Sequence, residues 1–290
     1  MNMVRVWGGG FYENEIFYDL CDEMGLLVWQ DFMFACSVYP TGLGSFRENF
    51  RREAEENIRR LRHRACLALW CGNNEMEAGM VEWGWKNDPV NRKRYFDFYN
   101  KLIPEIVRRE DPDTDYWPSS PSSGFKLWKP SSERKGDVHD WSVWHGRKPF
   151  TVYREQLPRF VSEFGFQSLT EPAVLNPYIP EPERNMSSYL MDLQQRSGSG
   201  NEIITHFLSA NFRMPKDFSS LCYSTQLLQA EAMRYGIEHW RRNRNRVSGT
   251  IYWQLDDCWP CPSWSSIDYA GGWKALHYLA WRFNSPVLVS

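Results

Sequence analysis

Short apolar runs alternate along the chain with longer amphipathic segments, in which apolar residues recur every three or four positions. The apolar runs predict seven β-strands, at residues 4–7, 26–31, 65–71, 115–119, 138–144, 159–162 and 249–255. The amphipathic segments predict helices at about residues 13–24, 45–64, 92–109 and 221–245. Strands that alternate with helices favour a parallel sheet closed as a barrel, so the sequence predicts an α/β fold.

The strand predicted at residues 65–71 is apolar throughout, which is typical of a strand buried on both faces. It is followed by Gly72, Asn73, Asn74 and Glu75. In α/β barrels the residues after a parallel strand lie at the C-terminal rim, where active sites are built. We therefore consider Glu75 a candidate catalytic residue, although residues 73–75 could equally form an ordinary turn and helix cap.

A second glutamate, Glu163, follows the strand predicted at residues 159–162. Two glutamates at the ends of non-adjacent strands of one barrel can face each other across its mouth. Glycoside hydrolysis needs such a pair, because one carboxylic acid protonates the leaving oxygen while a carboxylate attacks the sugar or activates water. The spacing therefore indicates a glycosidase.

Charge and composition limit the classes of molecule that the protein can bind. The 290 residues include 34 Lys and Arg against 36 Asp and Glu, a balance that gives no field to attract nucleic acid or an anionic membrane. No apolar stretch reaches the roughly 18 residues of a membrane span. The 15 Trp, 14 Tyr and 17 Phe include rings near predicted strand ends that could stack on sugars, although most should be core.

Seven cysteines cannot all pair, and Cys258 and Cys261 form a C-x-x-C. That motif could indicate redox or zinc chemistry, but no second pair or histidine has metal spacing. We therefore expect neither a metal nor a cofactor.

Five motifs carry a family resemblance: VRVWGGG at residues 4–10, VWQDFMFAC at 28–36, WCGNNE at 70–75, SEFGFQS at 162–168 and YWQLDDCWP at 252–260. Together they resemble the β-mannosidases of glycoside hydrolase family 2. The resemblance implies a (β/α)8 TIM barrel of glycosidase clan A, truncated at its N-terminus so that strands 2 to 8 are present. The first strand and helix and the N-terminal domains would precede Met1. Residues 1–285 would form the catalytic barrel domain, and residues 286–290 would lead into a further β-domain.

The resemblance also implies the chemistry, which is retaining exo-hydrolysis of terminal β-D-mannose from β-mannoside oligosaccharides or glycoconjugates. Glu163 would be the nucleophile and Glu75 the acid/base, kept protonated near neutral pH by the Glu163 anion. Arg5 would bond the nucleophile, and Asn74 the sugar 2-hydroxyl. The remaining implied sugar contacts are the aromatic walls Trp7, Trp83 and Trp253, and His145, which stands where many relatives have tyrosine. We expect His139 to be a hydrogen-bonded core or rim histidine.

Two alternatives stay open. The two glutamates and Arg5 are shared with sibling specificities, β-glucuronidase and β-galactosidase. A fragment with an incomplete barrel could also bind sugar without being an enzyme, because its open sheet edges would lack their shared neighbour.

Overall fold

The computed structural model describes residues 1–85, 87–125 and 129–290, and the chain divides into two compact units. Unit 1 comprises residues 1–139 and 158–162. Unit 2 comprises residues 140–157 and 163–290.

Unit 1 is built on a parallel sheet with the strand order β1-β2-β3-β4. Its elements are β1 (Met3–Val6), α1 (Glu15–Met24), β2 (Leu27–Asp31), α2 (Gly44–Leu61), β3 (Leu67–Cys71), α3 (Met76–Val81), α4 (Pro89–Asp97), a π-helical segment (Phe98–Leu102), α5 (Ile103–Glu110) and β4 (Tyr116–Trp117). Two further strands, β5 (Val138–Asp140) and β6 (Val161–Phe164), pair in a second sheet, and the first two residues of each belong to unit 1.

The helices of unit 1 cover the sheet through the apolar stripes that the sequence predicts. In α2 the residues Phe50, Ala54 and Ile58 recur every four positions and are fully or almost fully buried. Burial of a large apolar side chain contributes roughly 1.5–3 kcal/mol, so this stripe fixes the helix on the core. Helix α1 ends at Gly25, whose φ of 66° is the left-handed conformation that glycine adopts without strain.

Unit 2 is mostly helical. Its elements after β5 are a 3-10 segment (Phe150–Glu155), the end of β6, α6 (Pro172–Leu175), a 3-10 turn (Glu181–Glu183), α7 (Tyr189–Gln194), α8 (Gly200–Asn211), α9 (Phe218–Arg242) and α10 (Ala275–Phe283). The long helix α9 begins after Asp217, whose carboxylate accepts a hydrogen bond from Ser220 N. Near its other end, Trp240 packs edge-on against Phe164 of β6, with ring centroids 4.8 Å apart.

The parallel sheet with helical crossovers confirms the predicted α/β class, whereas closure into a barrel stays a prediction. Six of the seven predicted strands form, all with boundaries that differ by a few residues. The strand predicted at residues 138–144 ends at Asp140, because the Asp140 carboxylate accepts a hydrogen bond from Ser142 N and starts a turn. The Glu163 strand begins later than predicted, so Glu163 lies inside β6 instead of following it.

The strand predicted at residues 249–255 is wrong. Gln254 N donates to Trp264 O, and Ser266 N donates to the carbonyls of Gln254 and Leu255, so this segment bonds the loop that follows it. Inside unit 2, Trp253 N donates to Phe164 O of β6. Tertiary contacts thus replace the ladder that a β-branched run would otherwise form.

All four predicted helices form with small shifts at their ends, whereas α6, α7, α8 and α10 of unit 2 were not predicted. The helix predicted at residues 92–109 is a longer run in which α4 and α5 are joined by the π-helical segment. Helix α3, directly after Glu75, was not predicted, because six residues are too few to show a helical period. None of the helices in the described ranges combines the length and apolar character needed to cross a bilayer.

Candidate active site

The turn after β3 is shaped by close backbone approach. A Cβ added at Gly72 would lie 2.3 Å from the Tyr116 hydroxyl and 2.4 Å from Pro118 O, so only glycine fits. Asn73, which is fully buried, accepts hydrogen bonds from Met76 N and from the Ser119 hydroxyl. The reading of this stretch as a turn and helix cap therefore holds for Asn73.

Glu75 takes a different conformation from its neighbours. Its φ of 59° and ψ of 6° are left-handed, which costs a residue other than glycine of order 1–3 kcal/mol. The backbone is held there because Glu75 N donates to Ser120 O at 2.7 Å and Glu75 O accepts from Gly79 N at 2.8 Å. Such strain at a rim position is typical of a functional site.

The Glu75 carboxylate is nearly enclosed, with 12% of the side chain exposed. His139 Nδ1 lies 2.7 Å from Glu75 Oε1, and Cys36 Sγ lies 3.4 Å from Oε2. Burial alone would raise the pKa of Glu75, but the hydrogen bond and charge of His139, helped by Cys36 and Arg5, hold that pKa below its usual value. The contacts within unit 1 therefore lower the pKa of Glu75, whereas an acid that stays protonated near neutral pH needs a raised pKa.

Arg5 lies at the centre of a second polar cluster in unit 1. Its guanidinium bonds both oxygens of Asp31, with Nε at 3.2 Å from Oδ1 and Nη2 at 2.7 Å from Oδ2. Nη2 also donates to Asn74 Oδ1 at 2.9 Å. Asp31 is completely buried and accepts two more hydrogen bonds, from Gly8 N and Trp29 Nε1. A bidentate pair of this kind fixes a guanidinium in one orientation.

Asn73 and Asn74 have different contacts, because Asn73 bonds the turn and Asn74 bonds Arg5. Asn74 presents Oδ1 to Arg5 and Nδ2 to Cys36 Sγ at 3.3 Å, and its backbone bonds Phe34 O. Arg5 and Asn74, both predicted site residues, are thus brought together next to Glu75. The bond of Arg5 to the nucleophile stays a prediction.

Two predicted aromatic contacts also lie in unit 1. Trp7 is half-buried in the glycine turn after β1, where a Cβ on Gly9 would lie 2.0 Å from its ring. Trp83 follows α3, is 47% exposed, and packs edge-on against Trp85 with ring centroids 5.5 Å apart. Both rings are accessible enough to contact a ligand.

Unit 2 carries the other three predicted site residues. Glu163 is buried on β6, with 4% of its surface exposed. His145 is exposed in the turn after β5, with its ring 5.1 Å from that of Trp141. Trp253 is half-buried and donates its backbone N–H to Phe164 O, one residue after Glu163. Trp253 is therefore linked by one backbone hydrogen bond to the residue that follows Glu163.

The two cysteines of the C-x-x-C differ in burial. Cys258 and Cys261 are not joined by a disulfide, and Cys258 is exposed while Cys261 is buried. Burial raises the pKa of the Cys261 thiol to about 12.

Sequence reasoning missed His139 and Asp31 as site residues. Asp31 carried a signal, because it is a charged residue at the end of an apolar strand. His139 lies between Val138 and Asp140 in a three-residue strand, and this pattern is equally typical of a rim histidine. Only the fold shows that its ring reaches Glu75.

No family model matches the chain. Two proteins with similar sequences are β-mannosidase B of Aspergillus fumigatus, 37% identical over 303 residues, and β-mannosidase of Rattus norvegicus, 37% identical over 313 residues. Each alignment covers 99% of this chain and 35% of the relative. The chain thus spans about a third of the length of the relatives it matches.

The solved structures similar to this chain also include a β-mannosidase. A crystal structure of β-D-mannosidase from Dictyoglomus thermophilum matches with a TM-score of 0.91 and 40% identity, over 97% of this chain and 34% of that chain. The exo-chitosanase of Amycolatopsis orientalis matches with a TM-score of 0.73 and 16% identity, over 100% of this chain and 34% of that one. The second match, at this identity, indicates a shared fold alone.

Proposed function

Since the chain belongs by homology to the β-mannosidases of glycoside hydrolase family 2, we propose that it carries the catalytic centre of a retaining exo-β-mannosidase. The substrates are terminal, non-reducing β-D-mannose residues of oligosaccharides or glycoconjugates. Glu163 is the nucleophile and Glu75 the acid/base.

The observation that carries this proposal is the environment of Glu75. Glu75 lies in the turn between β3 and α3, is held by a strained backbone, and is hydrogen-bonded to a histidine that can supply or receive a proton. Arg5 of β1, anchored by Asp31 at the end of β2, donates to Asn74, the residue before Glu75. A buried residue whose pKa is shifted by specific partners at a strand end is a candidate for acid and base catalysis.

In the first step a carboxylate oxygen of Glu163 attacks the anomeric carbon, and the bond from that carbon to the leaving oxygen breaks. Glu75 gives its proton to the leaving oxygen, so the aglycone departs as a neutral alcohol. In the second step Glu75, now a carboxylate, takes a proton from water, whose oxygen displaces Glu163 from the sugar. Mannose leaves with its original anomeric configuration.

The other residues position the sugar in this proposal. Asn74, already oriented by Arg5, offers an amide to the 2-hydroxyl, a contact that strengthens in the transition state. Trp7, Trp83, Trp253 and His145 complete the sugar contacts. The proposal also includes the (β/α)8 barrel of glycosidase clan A as the fold of residues 1–285, with Glu75 and Glu163 at the ends of its strands 4 and 7.

The test is hydrolysis of aryl β-mannosides by the protein and two variants. We expect Glu163→Ala to abolish turnover, and azide to restore it with formation of α-mannosyl azide, because azide enters the space of the missing carboxylate. Glu75→Ala should lose far less activity on dinitrophenyl than on phenyl mannoside, because a good leaving group needs no proton. Glu56→Ala, on the exposed face of α2, is the matched control and should behave like the unmodified protein.

Two results would contradict the proposal. Equal losses on both leaving groups would remove Glu75 from the acid role. Faster hydrolysis of aryl β-glucuronide or β-galactoside than of β-mannoside would assign the site to a sibling specificity of the family.

A further inference from the structure

A chain of hydrogen bonds extends from Glu75 into the interior of unit 1. His139 Nδ1 contacts Glu75 Oε1 at 2.7 Å, and His139 Nε2 contacts the Ser120 hydroxyl at 2.9 Å. The Ser120 hydroxyl lies 2.7 Å from Asp137 Oδ2. His139 has a side-chain exposure of 3%, and Ser120 and Asp137 are equally buried, so their donors and acceptors must be matched within the protein.

Asp137 fixes the direction of this chain. Its Oδ1 accepts from Trp117 Nε1 at 2.9 Å and from Ser122 N at 3.0 Å, and both groups are donors only. Its Oδ2 is contacted by two hydroxyls, those of Ser120 and Ser162, at 2.7 Å and 2.5 Å. A carboxylate that receives four donors is an acceptor at every contact, so the single proton of Ser120 points to Asp137.

It follows that Ser120 accepts from His139, and that Nε2 carries a proton. The other ring nitrogen, Nδ1, then shares one further proton with Glu75. Either Glu75 is a carboxylate bonded to Nδ1–H, or it is a carboxylic acid that donates to Nδ1. In both arrangements the pair holds the proton that an acid catalyst must deliver.

We propose that Asp137 and Ser120 are positioning residues that hold His139 in its Nε2–H state, so that the histidine stores the catalytic proton of Glu75. This inference rests on the acid/base role proposed for Glu75. It explains how a carboxyl group with a lowered pKa can act as an acid near neutral pH, because the proton that Glu75 releases stays on its partner instead of entering solvent.

Groups of unit 1 near the Glu75–His139 pair affect the negative charge of Glu75 in opposite ways. Arg5 favours the Glu75 carboxylate, and the thiol of Cys36 bonds it. Glu82 opposes that charge, and its own pKa is raised by burial and by Glu75. Nε2 of His139 contacts the Ser120 hydroxyl at 2.9 Å, so Ser120 acts directly on the state of that nitrogen.

The first test is independent of catalysis. Two-bond proton–nitrogen spectra of the ¹⁵N-histidine-labelled protein, with His139 assigned by comparison with His139→Asn, report which ring nitrogen is protonated. We expect a protonated Nε2 from about pH 6 to 8. A bare Nε2 with a protonated Nδ1 would overturn the proposal, even if the protein hydrolyses mannosides.

The second test is the pH profile of kcat/KM on phenyl β-mannoside. Ser120→Ala removes the acceptor of Nε2–H, so we expect the alkaline limb to move at least one pH unit lower and activity near pH 7.5 to fall about tenfold or more. Ser119→Ala is the control, because it loses a similar buried hydroxyl bond, at 2.7 Å to Asn73, without touching His139.

An alkaline limb that is identical in Ser120→Ala and the unmodified protein would also overturn the proposal. If Ser120→Ala does not fold, the nitrogen spectra of the unmodified protein decide the question. Absence of mannosidase activity combined with a protonated Nε2 would refute the proposed function while leaving the Asp137–Ser120–His139 arrangement established.

Discussion

Glu77 should make the protein less stable as pH rises, and Glu77→Gln should remove that dependence. The side chain is 2% exposed, Ser122 Oγ donates to Oε2 at 2.8 Å, and Oε1 has no hydrogen-bond partner among the described residues. Burial, reinforced by the charges of Asp137 and Glu82, raises the pKa of Glu77 to about 8 against an ordinary value of 4.5. The folded protein therefore keeps a proton that the unfolded chain releases.

The magnitude follows from proton linkage. Between the two pKa values the folded state binds one more proton than the unfolded state, so the free energy of unfolding falls by about 1.4 kcal/mol per pH unit as pH rises. From pH 5 to pH 8 the loss is about 4 kcal/mol. The stability that Glu77 contributes is fully present below pH 4.5 and is lost as pH approaches 8.

Glutamine is neutral at every pH, but it buries an amide N–H2 where Oε1 already lacks a partner, which costs about 1–3 kcal/mol at all pH values. We therefore expect Glu77→Gln to be the less stable protein at pH 5 and the more stable one at pH 8. The measurement is the free energy of unfolding in urea at four pH values from 5 to 8. Glu56→Gln, on the exposed face of α2, is the matched control.

The refuting result is simple to recognise. If Glu77→Gln and the unmodified protein lose stability in parallel from pH 5 to pH 8, Glu77 is ionised in the folded state. The reasoning from its burial would then be wrong.

Two further predictions concern packing and a buried cation. Gly8→Ala should lower the free energy of unfolding by about 1–3 kcal/mol, because the new Cβ would lie 2.5 Å from Phe34 O. The control is Gly44→Ala, whose Cβ would lie in open space among the described residues. It should be neutral or stabilising in the same urea titration. Lys274 is fully buried, and burial, partly offset by Asp257, lowers its pKa to about 8 from 10.5, so the unfolded chain binds the extra proton between these values. Stability should therefore rise with pH from about 8 to 10.5, by up to about 1.4 kcal/mol per unit, and Lys274→Met should flatten that rise. A rise that persists unchanged in Lys274→Met would assign it to another group.

The sequence alone determined the α/β class and several predicted site positions. The apolar run at residues 65–71 predicted a strand, which forms as β3 over Leu67–Cys71, and a parallel strand delivers the next residues to one rim. Glu75 was predicted as a candidate for that reason, whereas Arg5 and Asn74 were predicted from the family resemblance. The homology to β-mannosidases was equally visible in local motifs.

Tertiary structure decided what local patterns cannot encode. The strand predicted at residues 249–255 does not form, because the backbone of Gln254 and Leu255 bonds the loop that follows. Asp140 ends β5 early by starting a turn, and a short helix follows Glu75 without a visible period.

The hydrogen-bond partners of Glu75 were also decided by the tertiary structure. His139 is 64 residues away in the chain, and its ring is aimed at Glu75 by Ser120 and Asp137. A single sequence shows which residues can donate or accept a proton. It does not show which donor meets which acceptor. That depends on the packing of the folded chain, which brings the turn after β3, the strand β5 and the loop after β4 within hydrogen-bond distance.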